Sequence, residues 1–329
     1  MNVFITGGTG FIGSRLALRC LASGDNVVVY GQENTPAEKQ NRKTIEDAGA
    51  RVVLASLTDT ETLSRAMDGI DVVFHLAAAQ HEANVPDSLF WDVNVKATEQ
   101  LLDIAADKGV GRFVHGSTIG VYGSALSGHL DESSELRPDN IYGVTKLAGE
   151  KAVLAAADRL PVVVIRISET YGPGDRRLLK LFKAIDKRAF FMIGNGKNVH
   201  HLIYIDDLID GFLAAANNDK ALGEVFVLAG REIVTTNEMV ATIARVLGRK
   251  LLPIRVPLLP MLAVAVVMES ILRPLGIQPP LHRRRMDFFK KSFLFSLDKS
   301  REILGFEPRY SFHDGVVKTA QWYKSSGLL

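Results

Sequence analysis

Thr6-Gly7-Gly8-Thr9-Gly10-Phe11-Ile12-Gly13 decides the fold of this chain. It follows an apolar run, Val3–Thr6, and opens a helical pattern that continues to residue 23. Glycines stand at positions 7, 10 and 13. Glycine reaches positive φ and carries no Cβ, so a turn built from it can lie directly against a pyrophosphate. The helix that begins there offers free N–H groups and the positive end of its dipole to the anion. A lone glycine triplet is a weak signal, but the strand–turn–helix setting makes this one specific. The spacing is Gly-x-x-Gly-x-x-Gly, which differs from the Gly-x-Gly-x-x-Gly of many dinucleotide sites.

Outward from that turn, β-rich runs alternate with helical patterns. The runs are Val27–Tyr30, Val52–Leu54, Val72–Leu76, Phe113–Gly116 and Val162–Ile167, and the patterns lie near 36–48, 60–68, 88–108 and 141–157. Such alternation predicts an α/β fold, a Rossmann-like doubly wound parallel sheet of about seven strands with helices on both faces. Several runs are apolar nearly throughout, as strands buried on both faces are. Past the turn Tyr171-Gly172-Pro173-Gly174 the rhythm loosens. A helix near 176–188, a strand Ile203–Ile205, a helix Asp206–Ala216 and a strand Glu224–Ala229 are expected. A later helix is expected to start at Thr236, with Glu232 and Glu238 near its positive end. The expected division is a dinucleotide-binding domain over 1–170, to which 203–230 returns, and a smaller C-terminal substrate-binding lobe from 171–202 and 231–329. The site is expected at the C-terminal edge of the sheet, between the two.

The bulk numbers exclude several classes. A net charge of +2 in 329 residues gives no reason to expect nucleic acid or an anionic membrane as partner. The single cysteine, Cys20, excludes an internal disulfide and reads as core. No basic region precedes the first strand, so no secretory signal is expected and a cytoplasmic location is. The most apolar stretch, Val256–Met268, is shorter than the roughly 20 residues that span a bilayer. It is expected to be a core helix, with a substrate lid or an interfacial helix as alternatives. Arg283-Arg284-Arg285 reads as a solvated face.

Tyr142 and Lys146 are four residues apart in a helical pattern and so share a face. A phenol must drop by roughly 3 pKa units, about 4 kcal/mol, to act as a base near neutral pH. A neighbouring ammonium and a positive nicotinamide ring both favour the phenolate. Tyr142 would then take the hydroxyl proton as hydride leaves carbon, and return it in reduction. Downstream of a dinucleotide turn this pair is specific. Gly116-Ser117-Thr118-Ile119-Gly120 follows the fifth strand and offers hydroxyls to a reacting oxygen.

These motifs resemble the extended short-chain dehydrogenases, the NAD-dependent epimerase/dehydratase family, over almost the whole chain. The resemblance adds Asp71-Val-Val-Phe-His75-Leu-Ala-Ala, Asn94-Val95, Val121-Tyr-Gly123, Tyr204-Ile-Asp-Asp207 and Leu304-Gly-Phe-Glu-Pro308. It implies Thr118, Tyr142 and Lys146 as catalytic residues. For the cofactor, NAD or NADP, it implies Gly7, Thr9, Gly10, Phe11, Ile12, Gly13, Gly31, Gln32, Ser56, Leu57, Leu76, Ala77, Ala78 and Ser117, with Tyr142 and Lys146 reaching it too. Asn94 would be structural, and a homodimer would form through the helices near 94–107 and 141–157. In NAD-preferring members an acid ends the second strand; Gly31 and Gln32 stand there instead, which tilts slightly toward NADP. Arg15, Lys39, Arg42 and Lys43 are the candidate cations for a 2′-phosphate. Ser56-Leu57 replaces the family's Asp-hydrophobe pair beside adenine.

The same resemblance frames the substrate. Dehydratases of the family carry Asp-Glu after the catalytic hydroxyl, where this chain has Ile119 and Gly120, so a 4,6-dehydratase is not expected. The asparagine before the Tyr-Gly-Pro-Gly turn, which meets a substrate diphosphate, is Glu169. The arginine before Tyr204 is replaced by His200. These departures weaken a nucleotide-sugar reading, which is nevertheless placed first, as an epimerase or simple oxidoreductase on a secondary alcohol or ketone. A 3β-hydroxysteroid dehydrogenase-like enzyme for an apolar substrate is the alternative, suggested by 256–268 and Phe288–Phe295. A catalytically silent NAD(P)-binding regulator is the third. His81, Glu169 and His200 are the candidate substrate contacts. His75 is expected to be a loop residue held by backbone hydrogen bonds. No metal is expected, because His200 and His201 lack a partner cluster.

Overall fold

A computed structural model of the chain describes residues 1–80, 85–123, 128–272 and 283–329. Its centre is a seven-stranded parallel sheet. The strands are β1 (Asn2–Thr6), β2 (Asn26–Gly31), β3 (Arg51–Leu54), β4 (Val72–His75) and β5 (Arg112–Thr118), followed by Val162–Ile167 and Val225–Leu228. Spatially they run Val225–Leu228, Val162–Ile167, β5, β4, β1, β2, β3. The order reverses on either side of β1, and the ligand crevice of such sheets opens at this switch point. The central strands carry Val3, Phe4, Ile5, Val73, Phe74, Phe113 and Val114, all buried, because helices cover both faces.

The connecting helices are α1 (Phe11–Ala22), α2 (Pro36–Asp47), α3 (Thr60–Ala66), α4 (Asp87–Trp91), α5 (Ala97–Asp107) and α6 (Ile141–Ala155). Cys20 lies buried on the inner face of α1, as its pattern predicts. The single helix expected over 88–108 is divided. Between α4 and α5 the backbone takes one wide π-helical turn, Asp92–Lys96, which carries the buried Asn94. Beyond the sheet, helices Leu179–Asp186, Thr236–Leu247, Leu258–Leu272, Arg283–Lys290 and Phe312–Ser325 are joined by short two-residue strand pairs.

Three expectations are corrected. Helix Thr236–Leu247 starts where predicted, with Thr235 and Glu238 forming a reciprocal capping box. Glu232 instead serves the helix Phe312–Ser325, where its carboxylate accepts the Phe312 N–H at 2.9 Å. A loop acid close in sequence to one helix start can lie closer in space to another. The apolar stretch 256–268 does form a helix, but not a core helix: Leu259 is 77% exposed and Ile271 58%. Only Ala265 and Glu269 of that helix are buried. His75 is held by side-chain hydroxyls, not backbone groups, because it closes β4 inside the protein.

Candidate functional site

The glycine turn is built by close approach. A Cβ on Gly13 would lie 2.4 Å from the Gly7 carbonyl oxygen, and one on Gly7 would lie 2.8 Å from Ala77 Cα. Gly7 also sits at φ +67°, in the left-handed region. Gly10 caps α1 without a side-chain acceptor, and no acid occupies the first turn. The helix start therefore presents N–H groups to an anion with no built-in competitor. These close approaches are to the protein's own backbone, so the glycines hold the turn tight while the N–H groups at the start of α1 stay open to an anion such as a dinucleotide pyrophosphate. Thr9 donates its hydroxyl to the Gln32 carbonyl at 2.7 Å, which fixes the rim formed by Gly31 and Gln32 at the end of β2. Phe11 packs under Gly174, whose Cβ would stand 2.9 Å from the ring. This contact closes the Tyr171–Gly174 turn over the glycine turn, with Ile12 half-buried beside it.

A chain of hydrogen bonds holds the neighbouring loop. Thr6 Oγ1 accepts the N–H groups of Leu76 and Ala77 at 3.1 and 3.2 Å. Its own proton goes to His75 Nδ1 at 2.7 Å. His75 Nε2–H then donates to Thr98 Oγ1 at 2.9 Å, and Thr98 donates onward to the Asn94 carbonyl at 3.0 Å. The donors fix the tautomer. Burial holds His75 neutral, pushed down to about 3, with the Lys146 charge adding to the effect. Asn94 clamps both backbone groups of Ala79 and donates to Thr145 Oγ1 on α6 at 3.0 Å. The loop Leu76–Ala79, with Ala78 half-buried, is thus tied to α6 by one amide.

Helix α6 carries Tyr142 and Lys146. Asn140 caps it, accepting the Gly143 N–H at 3.0 Å. A Cβ on Gly143 would come within 2.7 Å of the Gly120 oxygen, so the helix start lies tight against the segment that follows Thr118. Thr118 Oγ1 accepts the Gly120 N–H at 3.1 Å, leaving its own O–H to donate. Tyr142 and Thr118 are half-buried, whereas Lys146 is only 2% exposed. Burial lowers the Lys146 ammonium to about 8, against the opposing pull of Glu150.

Beneath Lys146 lies a group that sequence reasoning missed. Lys146 Nζ donates to His115 Nε2 at 3.3 Å. Ser117 donates to Glu150 Oε2 at 2.7 Å, and Glu150 forms a buried ion pair with Arg166 at 2.7 Å. Arg166 also donates to the Tyr122 hydroxyl at 2.8 Å. The spacing explains the match. His115 and Ser117 are two residues apart on a strand, about 6.6 Å. Lys146 and Glu150 are four apart on a helix, about 6 Å. The strand face and the helix face therefore register residue for residue, and that shared periodicity was the available signal. The Ser117 hydroxyl proton is committed to Glu150.

At the rim, Ser56 offers its carbonyl to the Tyr30 hydroxyl at 2.9 Å and its hydroxyl to Thr58, while Leu57 is buried in the core. Of the four candidate cations for a 2′-phosphate, Arg15 pairs with Asp206, Arg42 with Glu33 and Lys43 with Asp47. Glu169 and His200 meet each other: Nδ1 and Oε2 are 3.0 Å apart. His200 Nε2 lies 3.0 Å from Thr236 Oγ1, and Phe288 covers the ring at 4.9 Å. Burial would raise the Glu169 carboxyl, but its hydrogen bond to His200 and the charges of His200 and Arg177 hold it below its usual value. His81 lies outside the described residues.

The profile of the NAD dependent epimerase/dehydratase family matches residues 3–229. A dTDP-glucose 4,6-dehydratase of Streptomyces niveus is 30% identical, over 99% of this chain and 94% of that protein. A 4-hydroxy-2-methyl-3-oxo-4-farnesyl-3,4-dihydroquinoline-1-oxide ketoreductase of Stigmatella aurantiaca is 31% identical, over 96% and 95%. Among solved structures, the UDP-glucuronic acid 4-epimerase of Bacillus cereus, seen with NAD and with UDP-glucuronic acid and NAD, superposes with TM-score 0.82. It is 26% identical, and the match covers 99% of each chain in the NAD complex.

Proposed function

Because this chain belongs to the NAD-dependent epimerase/dehydratase family, we propose that it is an NAD(P)-dependent oxidoreductase or epimerase of a secondary alcohol or ketone on a nucleotide sugar. The observation that carries this reading is the buried Lys146 on α6, one turn beyond Tyr142, with Thr118 alongside the start of the same helix. A nicotinamide cofactor supplies the hydride acceptor. Thr118 donates its free O–H to the reacting oxygen, Tyr142 removes or returns the hydroxyl proton, and the Lys146 ammonium stabilises the phenolate. Gly7, Gly10 and Gly13 seat the pyrophosphate, with Thr9, Phe11 and Ile12 shaping the turn. Gly31, Gln32, Ser56 and Leu57 line the adenosine end, and Leu76, Ala77, Ala78 and Ser117 the nicotinamide side. Ile119 and Gly120 hold no acid or base, so elimination of water is not part of the proposed reaction.

We take NAD as the cofactor. The sequence alone tilts to NADP, but three of its four candidate cations are paired with carboxylates, and the superposed epimerase was solved with NAD. The proposed division keeps 203–230 with the dinucleotide domain 1–170, since Val225–Leu228 forms a sheet edge; 171–202 and 231–329 make the substrate lobe. A homodimer through α5 and α6 and a cytoplasmic location complete the reading.

A second reading rests on the Glu169–His200 pair. Hydrogen-bonded to each other, these side chains stand where the resembling family has the asparagine that meets a substrate diphosphate and the arginine expected before Tyr204, and this favours an apolar ketone or alcohol. The Stigmatella ketoreductase acts on such a compound by its name. Incubation of enzyme and NAD with UDP-sugars and with hydroxysteroids separates the two. Epimerised UDP-sugar without net NADH supports the first reading. NADH formed only with hydroxysteroids replaces it by the second, and cofactor binding without turnover of either leaves a silent regulator. Tyr142→Phe should lower turnover about a thousandfold while cofactor binding persists.

A further inference from the structure

The uncharged run Val256–Met268 becomes the surface helix Leu258–Leu272. Leu259, Val267 and Ile271 recur every fourth or eighth residue along its outer face, 77%, 55% and 58% exposed, with Val264 beside them. The opposite side, with Leu258, Met261, Leu262 and Ala265, packs on Ile193, Met286 and Phe289. Among the described residues, half of the exposed large apolar side chains lie between Leu252 and Ile271. A helix apolar on all sides belongs in a core or in lipid. This one is about 22 Å long, too short to cross a bilayer, and no described helix is long and apolar enough to do so.

The surrounding charge identifies what covers it. From Arg249 to Lys291 stand nine lysines and arginines against two acids, Glu269 and Asp287: +7 within a chain whose total is +2. Arg249 and Lys291 are paired with Asp186 and Asp139 outside this segment. The five remaining charges of excess include the triplet Arg283-Arg284-Arg285, which opens the helix packed against Leu258–Leu272. The small overall charge thus conceals a strongly basic lobe.

We propose that this lobe docks on an anionic lipid surface, with the outer face of helix 258–272 inserted at the headgroup boundary and the net positive charge of the 249–291 segment drawing it to lipid phosphates. Apolar insertion and basic attraction are the two components of interfacial binding. A second copy of the chain would bring like charge against like charge. Nucleic acid would leave the apolar stripe uncovered. The proposal does not rest on the reaction assigned above.

Flotation of the full chain with phosphatidylcholine vesicles, with and without phosphatidylglycerol, tests it. The protein should float only with phosphatidylglycerol and lose binding as salt is raised. The double variant Leu259→Asn, Val267→Asn should bind about tenfold or more weakly with its circular dichroism unchanged, because both side chains are already in solvent. Arg284→Gln with Arg285→Gln should weaken binding in low salt most. Three results overturn the proposal: no flotation with either vesicle, equal flotation of parent and Asn variant, or an oligomer that dissociates on the Asn substitutions without any vesicle binding. The last would assign the face to a second copy.

Discussion

Lys146 Nζ lies 3.3 Å from His115 Nε2, and both side chains are shut away from water. His115 therefore accepts at Nε2 and carries its proton on Nδ1, which finds no hydrogen-bond partner among the described residues. Leaving a buried N–H unsatisfied costs about 1–3 kcal/mol. The imidazole is kept neutral by burial first, then by the charge of Lys146 and by His75. Groups facing Lys146 are His115 on β5, His75 on β4 and Glu150 on its own helix, with Arg166 behind Glu150.

Under the proposed function, His115 should act as a positioning residue for Lys146. Replacing it with phenylalanine removes the acceptor for the ammonium, so the Lys146 pKa should fall further. His115→Phe should lower kcat roughly tenfold and move the alkaline limb of the kcat/KM profile to lower pH, with KM for cofactor little changed. His115→Gln, which keeps an acceptor, should restore much of the loss. Superimposable pH profiles for parent and phenylalanine variant would rule this role out.

Acid should destabilise the protein steeply. His75 and His115 titrate below their ordinary value in the fold, His75 near 3, while the unfolded chain takes up both protons near 6.5. Stability from these two groups is complete above 6.5 and falls by about 2.7 kcal/mol per pH unit below it. His201, lowered mainly by burial, adds in the same direction. Urea unfolding between pH 7 and 5 measures the slope, and His75→Gln should make it shallower by about one proton.

Lys146→Met should be inactive and yet no less stable. The ammonium is held at about 8 in the fold against 10.5 outside it, so below pH 8 folding bears a desolvation cost that is relieved between 8 and 10.5. Removing it gains on the order of 3 kcal/mol at neutral pH, offset by the lost His115 contact. Thermal unfolding should show an unchanged or raised midpoint at pH 7, and a loss of several degrees would contradict the argument.

Gly13→Ala should cost about 1–3 kcal/mol and abolish cofactor binding, because its Cβ would lie 2.4 Å from the Gly7 oxygen and push the turn apart. Gly24→Ala, with open space around it but φ +84°, should be destabilising without touching cofactor affinity. Titration of cofactor fluorescence distinguishes the two.

The sequence by itself determined the sheet, the glycine turn, and the placing of Tyr142 and Lys146 on one helix face, because each depends on local pattern: short apolar runs alternating with helical segments, three glycines at a strand–helix junction, and a four-residue spacing on α6. It also gave Asn94 a structural part, which its clamp on Ala79 and Thr145 bears out. Tertiary structure alone decided which distant residues meet. His115 reaches Lys146 across 31 residues and Glu169 reaches His200 across 31, and no local pattern encodes a contact that exists only once α6 lies on β5 or once Ile203–Tyr204 pairs with Thr170–Tyr171. The same holds for Val256–Met268, where composition fixed a helix, but exposure depended on what the rest of the chain left uncovered.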